Sequence, residues 1–285
     1  MPSESCELMR ESCVSSFKFI VHPTSVESMA EKLKGLVALL TGASGEIGSA
    51  TAIEFAKEGA IGLVLQYNRS RRQADAVIQS VRKLGADGAA FRADLTDPIQ
   101  AKGLVNKTLA RFGRLDALIC LAGHPFRRNE WFEKFEQLTP EQLNAPLQVD
   151  LLGNAYVIQA SVPVMRRQRR GKIVLVGSTP ALTGDSVGVS YLMAKAGILA
   201  LTRALAQQLG PDNIYVNALA LGAIDTKSTI GHLAAREKDR LAAEASLGRL
   251  GTPHEVARKI VFLSSGDSDF VTGQTIVVDG GFAMR

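Results

Sequence analysis

Tyr191 and Lys195 stand four residues apart in a long apolar-periodic segment. Ser178 stands thirteen residues before the tyrosine, just after the apolar run Lys172–Val176. Positions i and i+4 share a helix face, so the phenol and the ammonium are expected to point at one spot. A serine at the C-terminal edge of a buried strand can reach the same spot, where open α/β sheets hold ligands. The three residue types suit reduction of a carbonyl by hydride from a nicotinamide. Charge builds on the carbonyl oxygen, and a serine hydroxyl can hold and polarise it. A phenol can supply the proton, but its ordinary pKa of about 10 is high for acid–base work near neutrality. A neighbouring ammonium favours the phenolate.

A cofactor site is expected upstream. Leu36–Leu40 runs straight into Thr41-Gly42-Ala43-Ser44-Gly45-Glu46-Ile47-Gly48 and then into a helix expected over Ala50–Glu58. Glycines let the backbone approach a pyrophosphate, and a helix N-terminus favours anions. Gly42, Ser44, Gly45, Glu46, Ile47 and Gly48 are the candidate contacts. The spacing differs from the common G-x-G-x-x-G, and a tight turn without a ligand is the competing reading. About 20 residues further on, NAD enzymes place an acidic residue for the ribose. Here Gln66-Tyr67-Asn68-Arg69-Ser70 contains no carboxylate. Arg69, backed by Arg71 and Arg72, can pair with a 2′-phosphate, so NADP(H) is favoured over NAD(H). Asn68 and Ser70 flank it as further candidates. Asp94 and Leu95 follow the third strand and edge the expected adenine pocket, with a turn residue as the alternative.

The elements that must position these residues follow a regular rhythm. Strands are expected at Leu36–Leu40, Ile61–Tyr67, Gly88–Arg92, Leu115–Leu121, Lys172–Val176, Tyr215–Ala218 and Thr275–Val278. Most are continuous apolar runs, as in parallel strands buried on both faces. Helices lie between them. Asp97-Pro98 and Thr139-Pro140 read as helix starts, and Gly85, Gly113 and Gly210 as helix ends. The expected fold is α/β: a single-domain, Rossmann-like, doubly wound sheet of about seven parallel strands flanked by helices.

Composition narrows the function classes. The chain has 285 residues with a formal net charge of +5, 46% apolar and 21% charged residues. No apolar run reaches the roughly 18 residues of a spanning segment. Residues 1–30 hold four glutamates against Arg10 and Lys18, which leaves +7 on the remainder. They read as a disordered N-terminal extension, and residues 31–285 as the catalytic domain. The charge is no dense basic stripe, so neither nucleic acid nor a membrane is expected as a partner. Cys6, Cys13 and Cys120 form no disulfide framework and no zinc spacing, which points to a cytoplasmic protein without a metal.

The chain resembles the short-chain dehydrogenase/reductase family from about Leu33 to Met284. The motif carriers are the Thr41–Gly48 loop, Ser178, Tyr191 and Lys195, together with Val149-Asp150-Leu151-Leu152-Gly153. The tail Thr272-Gly273-Gln274 to Val278-Asp279-Gly280-Gly281 is also family-like. Within the family it is most similar to 3-oxoacyl-[acyl-carrier-protein] reductases, with acetoacetyl-CoA and sugar dehydrogenases nearby. The resemblance implies NAD(P), reversible carbonyl–alcohol chemistry and a homotetramer or homodimer. It implies catalytic roles for Ser178, Tyr191, Lys195 and Asp150. Ala122, Gly123, Gly222, Ile224 and Thr226 join the cofactor contacts.

Four positions depart from the family pattern. Glu46 stands where a loop glycine is usual, and is expected to face solvent or cap the helix. Leu121 replaces an asparagine that ties strands together, so packing is expected to hold that turn. Asp150 replaces an asparagine and is expected to pair with Lys195. Leu221 replaces a proline, which is expected to loosen the turn before Gly222.

The substrate side is read less sharply. Gly123 to Asp150 holds His124 and the aromatic residues Trp131, Phe132 and Phe135, placed at the pocket or at a subunit interface. Residues 222–247 are expected to form a lid. Arg166, Arg167, Arg169 and Arg170 form a solvated helix end or dock an acidic acyl-carrier protein or CoA. The expected function is NADPH-dependent reduction of a carbonyl on a small molecule or thioester, foremost a 3-oxoacyl thioester. The alternatives are a sugar or secondary-alcohol dehydrogenase and a non-catalytic NADP(H)-binding protein.

Overall fold

The structure is a computed structural model and describes residues 31–228 and 230–284. The expected extension over residues 1–30, with Cys6 and Cys13, lies outside the described residues.

Among the described residues seven strands make one sheet: β1 (Val37–Thr41), β2 (Gly62–Tyr67), β3 (Asp87–Arg92), β4 (Ala117–Cys120), β5 (Gly171–Ser178), β6 (Ile214–Leu221) and β7 (Thr275–Val278). Their order is β3-β2-β1-β4-β5-β6-β7, and all neighbours run parallel. The connecting helices are α1 (Glu46–Lys57), α2 (Arg71–Lys83), α3 (Pro98–Phe112), α4 (Arg128–Trp131), α5 (Pro140–Pro146), α6 (Asn154–Gln168), α7 (Pro180–Thr183), α8 (Val189–Leu209), α9 (Ala235–Glu244) and α10 (Pro253–Ser264). Strand order reverses direction between β1 and β4, which opens a crevice at their C-terminal ends, the usual ligand position in such sheets.

The continuous apolar runs follow from burial on both sides. Ala38 and Leu40 of β1 join a core with Phe55 of α1, Ile78 of α2 and Ile260 of α10. Leu39, between them, joins the opposite core with Leu104 of α3, Met165 of α6 and Ile198 of α8. Successive strand side chains point to opposite faces, so a strand covered twice needs apolar residues at nearly every position.

The helix starts are those the sequence signals. Asp97 accepts the N–H of Ile99 at 2.8 Å, and Thr139 forms a capping box with Gln142. Gly113 closes α3 with φ +72. Gly210 does not close α8 in this way. Its φ is −53°, the chain continues into a 3-10 turn, and Asn213 takes the left-handed position instead.

Two boundaries differ in ways that matter for the site. α1 begins at Glu46, not Ala50, because Gly45 already serves as the extended N-cap residue. β6 runs on to Leu221, where the expected strand stopped at Ala218. At Leu221 the turn is bonded on both sides: Thr179 donates to its carbonyl at 2.8 Å, and Gly222 donates to Val278 at 3.0 Å. α8 is long and apolar enough to cross a membrane by length and composition. In this fold it packs against β5 and β6 and carries a buried lysine.

Candidate active site

The loops leaving β1 and β4 meet at the crevice. Gly42 has φ +61, and a Cβ there would lie 2.7 Å from the backbone nitrogen of Ala122. Only glycine permits this approach. Thr41 ties the same two strands, its hydroxyl accepting the N–H groups of Leu121 at 3.0 Å and Ala122 at 3.1 Å. Asn154 Nδ2 donates to the Ala122 carbonyl at 3.2 Å. The turn at Leu121 is therefore held by hydrogen bonds to its backbone, and not by packing alone as its side chain suggests. On the other side Gly42 donates to Gln66 Oε1 at 2.8 Å, while Gln66 Nε2 donates to Ala93 at 2.7 Å.

α1 starts at Glu46, and its N-cap residue Gly45 supplies no side-chain cap. Its first-turn amides are thus open to an anion, which suits the phosphates of a dinucleotide. Glu46 neither faces solvent freely nor caps its own helix. Its carboxylate accepts the backbone N–H of Lys227, so it ties the glycine loop to the segment after β6.

The reacting groups gather at the ends of β5 and β6. Ser178 is the last residue of β5, pairs with Leu221 and is nearly buried. Lys195 Nζ reaches under the same strand end and donates to the Val176 carbonyl at 3.0 Å. Tyr191 lies one turn earlier on α8, with its ring centroid 5.4 Å from Lys195 Nζ. Among the described residues neither the Ser178 nor the Tyr191 hydroxyl has a hydrogen-bond partner, so both can serve a bound oxygen.

Asp150 fixes the lysine from the opposite side. α5 passes into α6 through a π-helical stretch, Leu147–Gly153, that carries Asp150. Such wide turns often sit at functional sites. Asp150 Oδ1 lies 2.8 Å from Lys195 Nζ, and both side chains are buried. Asp150 Oδ2 accepts the His124 N–H at 2.6 Å. Burial works to discharge Lys195, but the Asp150 carboxylate, joined by Tyr191, outweighs it and raises the lysine above its ordinary pKa. The ion pair expected at Asp150 is present.

Around the β2 end, Arg69 and Ser70 are exposed, and Asn68 accepts Arg92 Nε on its carbonyl at 3.2 Å. Asp94 turns inward to its own turn, accepting the backbone N–H of Thr96 at 3.0 Å and the Thr96 hydroxyl at 2.8 Å. Its carboxylate thus serves the turn reading. Leu95 is buried against Gly153. Ile224 bridges to Gly251, and Thr226 is buried at the same sheet edge as Gly222.

The aromatic cluster divides. Trp131 lies 5.2 Å from the Tyr191 ring, whereas Phe132 and Phe135 are exposed. His124 bonds Glu130 at 3.1 Å and has no metal-ligand company. No group of three or more potential ligands exists among the described residues. Arg166 and Arg169 both pair with Asp212, and the whole arginine group ends α6 beside the start of β5. That is about 23 Å along the strand from Ser178, at the opposite sheet edge.

Asn154 and Arg92 were not singled out by sequence, and Thr41 and Gln66 were named only as members of their stretches, without a role. Asn154 follows Asp150 by four residues, the spacing that brings Tyr191 and Lys195 together. Gln66 is a polar residue inside an apolar strand, and Arg92 is the register partner of Tyr67.

Comparison with known proteins agrees with this geometry. The family model described as "Enoyl-(Acyl carrier protein) reductase" matches residues 42–283. A 3-oxoacyl-[acyl-carrier-protein] reductase of Thermotoga maritima is 36% identical over 89% of this chain and all of its own length. A cyclohexanol dehydrogenase of a Rhodococcus species is 36% identical over 87% of this chain and 96% of its own. A solved mutant of a Serratia marcescens short-chain dehydrogenase/reductase superposes with TM-score 0.81 at 29% identity, covering 89% of this chain and all of that one. The chain belongs to the short-chain dehydrogenase/reductase family. It is an oxidoreductase acting on CH–OH and carbonyl groups.

Proposed function

We propose that the protein is a cytoplasmic NADPH-dependent reductase that converts a 3-oxoacyl thioester, on CoA or a carrier protein, to the secondary alcohol. The observation that carries the reading is the buried Lys195–Asp150 pair beside a tyrosine whose hydroxyl has no partner among the described residues. The uncapped start of α1, with Gly42, Ser44, Gly45, Glu46, Ile47 and Gly48, would receive the pyrophosphate. Ala122, Gly123, Gly222, Ile224 and Thr226 would border the nicotinamide half. Leu95 would line the adenine, with Asp94 shaping the turn. When bound, the nicotinamide supplies hydride to the carbonyl carbon.

The chain's own residues do the rest. Ser178 donates a hydrogen bond to the carbonyl oxygen as charge grows there. The carbonyl π electrons move to that oxygen, which takes the proton of Tyr191. The resulting phenolate faces the Lys195 ammonium, and Asp150 keeps that ammonium charged and in place. The departures at Glu46, Leu121 and Asp150 each find a partner within the fold, which favours the catalytic reading over a non-catalytic NADP(H)-binding role.

Preference for NADPH rests on Arg69, with Arg92 bonded to the carbonyl of neighbouring Asn68 and no carboxylate in the Gln66–Ser70 stretch. The thioester rests on likeness to 3-oxoacyl-[acyl-carrier-protein] reductases. The arginines after α6 do not support carrier docking near the site, given their position at the far sheet edge. A second reading, a dehydrogenase of compact secondary alcohols, is favoured by the aromatic wall at Trp131 and by the cyclohexanol dehydrogenase relative. Assembly as a homotetramer or homodimer is part of the proposal, because β7 leaves an open sheet edge with Phe270 and Met284 exposed nearby.

A panel of 3-oxoacyl-CoA esters, cyclic ketones and sugars with both cofactors tests the reading. Highest kcat/KM on a thioester with NADPH is expected, and preference for a sugar or cyclic alcohol contradicts it. Arg69→Ala is expected to cut the NADPH/NADH preference by about tenfold, one lost charge-assisted contact. An unchanged ratio refutes the role of Arg69.

A further inference from the structure

The loop after β4 builds a wall against the reacting tyrosine. Trp131 packs on Tyr191 with ring centroids 5.2 Å apart, and Phe126 packs on Trp131 at 5.4 Å. The Trp131 carbonyl accepts the N–H of Gly188 at 2.8 Å. Gly188 has φ +66, and a Cβ there would lie 3.0 Å from the indole. The indole is thus seated on the first turn of α8.

Its own turn is anchored on two sides. Glu130 is bonded by His124 at 3.1 Å and by Arg127 at 2.8 Å. Arg128 reaches Glu237 of α9 through both terminal nitrogens, at 3.3 and 3.0 Å. These contacts orient the α4 turn that carries the indole.

Beside the indole lies a half-open pocket of about 100 Å³, lined on its apolar side by Phe126, Trp131, Pro146 and Tyr191 and at its polar side by Arg127 and Glu130. An enclosed apolar cavity of roughly 150 Å³ takes one benzene ring, so the space beside the indole is smaller than one ring. We propose that Trp131 is the specificity-determining wall. It restricts the substrate arm beyond the reacting carbonyl to a short apolar chain. On the thioester reading, on which this inference rests for its substrate class, the substrates are short 3-oxoacyl groups. Neither Phe132 nor Phe135 can do this, since both point to the surface.

The test compares kcat/KM for 3-oxobutanoyl-, 3-oxohexanoyl- and 3-oxodecanoyl-CoA with NADPH. The wild type, Trp131→Ala, Trp131→Leu and the control Phe132→Ala are measured, with a methyl ketone series of the same arm lengths in parallel. The wild type is expected to favour the two short arms over the long one by about tenfold or more, the scale of a pocket that clashes with added methylenes. Trp131→Ala and Trp131→Leu are expected to erase most of that ratio while retaining turnover of the short substrate. Phe132→Ala is expected to keep the wild-type ratio. Equal use of short and long arms by the wild type, or an unchanged ratio in both folded Trp131 variants, overturns the proposal. If every thioester fails while methyl ketones show the same length cut, relieved by Trp131→Ala, the thioester reading falls and the wall stands.

Discussion

Two lysines stand at opposite ends of β5, each beside a tyrosine and an aspartate. At the start, Lys172 lies 2.7 Å from Asp269, bonds Ser268 at 3.2 Å and sits 3.8 Å from the Tyr215 ring centroid. At the end, Lys195 lies 2.8 Å from Asp150 and 5.4 Å from the Tyr191 ring centroid. The residue types are the same and the contexts are opposite. The Asp269 side chain is 63% exposed, whereas that of Asp150 is 1% exposed. The Tyr215 hydroxyl donates to Asn213 at 3.0 Å, while the Tyr191 hydroxyl borders a pocket without a partner among the described residues. With Asp269 in water the first pair is screened, although Lys172 itself is buried. A buried pair is costly to break because the stranded charge has no water. Composition therefore does not make a reaction site. A free hydroxyl, a charge that cannot leave, and a position at the C-terminal sheet edge do.

The comparison can be broken most forcefully at the lysines. Lys195→Met is expected to lower turnover by at least about 100-fold through loss of acid–base support. It should also destabilise the fold by about 3–5 kcal/mol, because Asp150 is left charged and buried. Adding Asp150→Asn to that variant is expected to recover stability in a denaturant titration without recovering activity. Lys172→Met is expected to leave turnover unchanged. Equal losses at the two lysines would erase the distinction drawn here.

The aspartates give a finer contrast, read in pH. Asp150 holds the Lys195 pKa above its ordinary value against the opposing effect of burial. The Tyr191 proton and the Lys195 ammonium are both required, so reductase activity is lost as pH rises and either is given up. With Asp150→Asn, burial acts unopposed by that carboxylate, and the alkaline limb of the rate profile is expected to move to lower pH. The groups facing Lys195 are Asp150, Tyr191 and the Val176 carbonyl, and only the first changes. An alkaline limb that stays in place contradicts the assigned role. Asp269→Asn, the smallest expected effect, should alter neither the pH profile nor turnover.

Much of this contrast was legible in sequence, though unevenly. The i, i+4 spacing of Tyr191 and Lys195, the serine after an apolar run, and the glycine loop are local signals, and the structure keeps each as a local arrangement. The sheet was legible because burial on both faces writes apolar runs into β1, β2 and β4. What sequence did not show depends on contacts between distant segments. Thr41 reaches residues 121 and 122, Gln66 spans three strands, and Glu46 reaches Lys227. The three neighbouring aromatic residues could not be told apart by type. Only the α4 turn decides that Trp131 faces Tyr191 while Phe132 and Phe135 face outward.

The central claim is that Tyr191 delivers the proton and Tyr215 does not. It is tested most directly by Tyr191→Phe and Tyr215→Phe side by side, with NADPH oxidation on a 3-oxoacyl-CoA and NADPH affinity measured for each. Tyr191→Phe is expected to lose about 100-fold or more in kcat, the range of a removed general acid, with NADPH affinity nearly intact. Tyr215→Phe is expected to match the wild type. Full activity in Tyr191→Phe, or equal losses in both variants, would contradict the assignment.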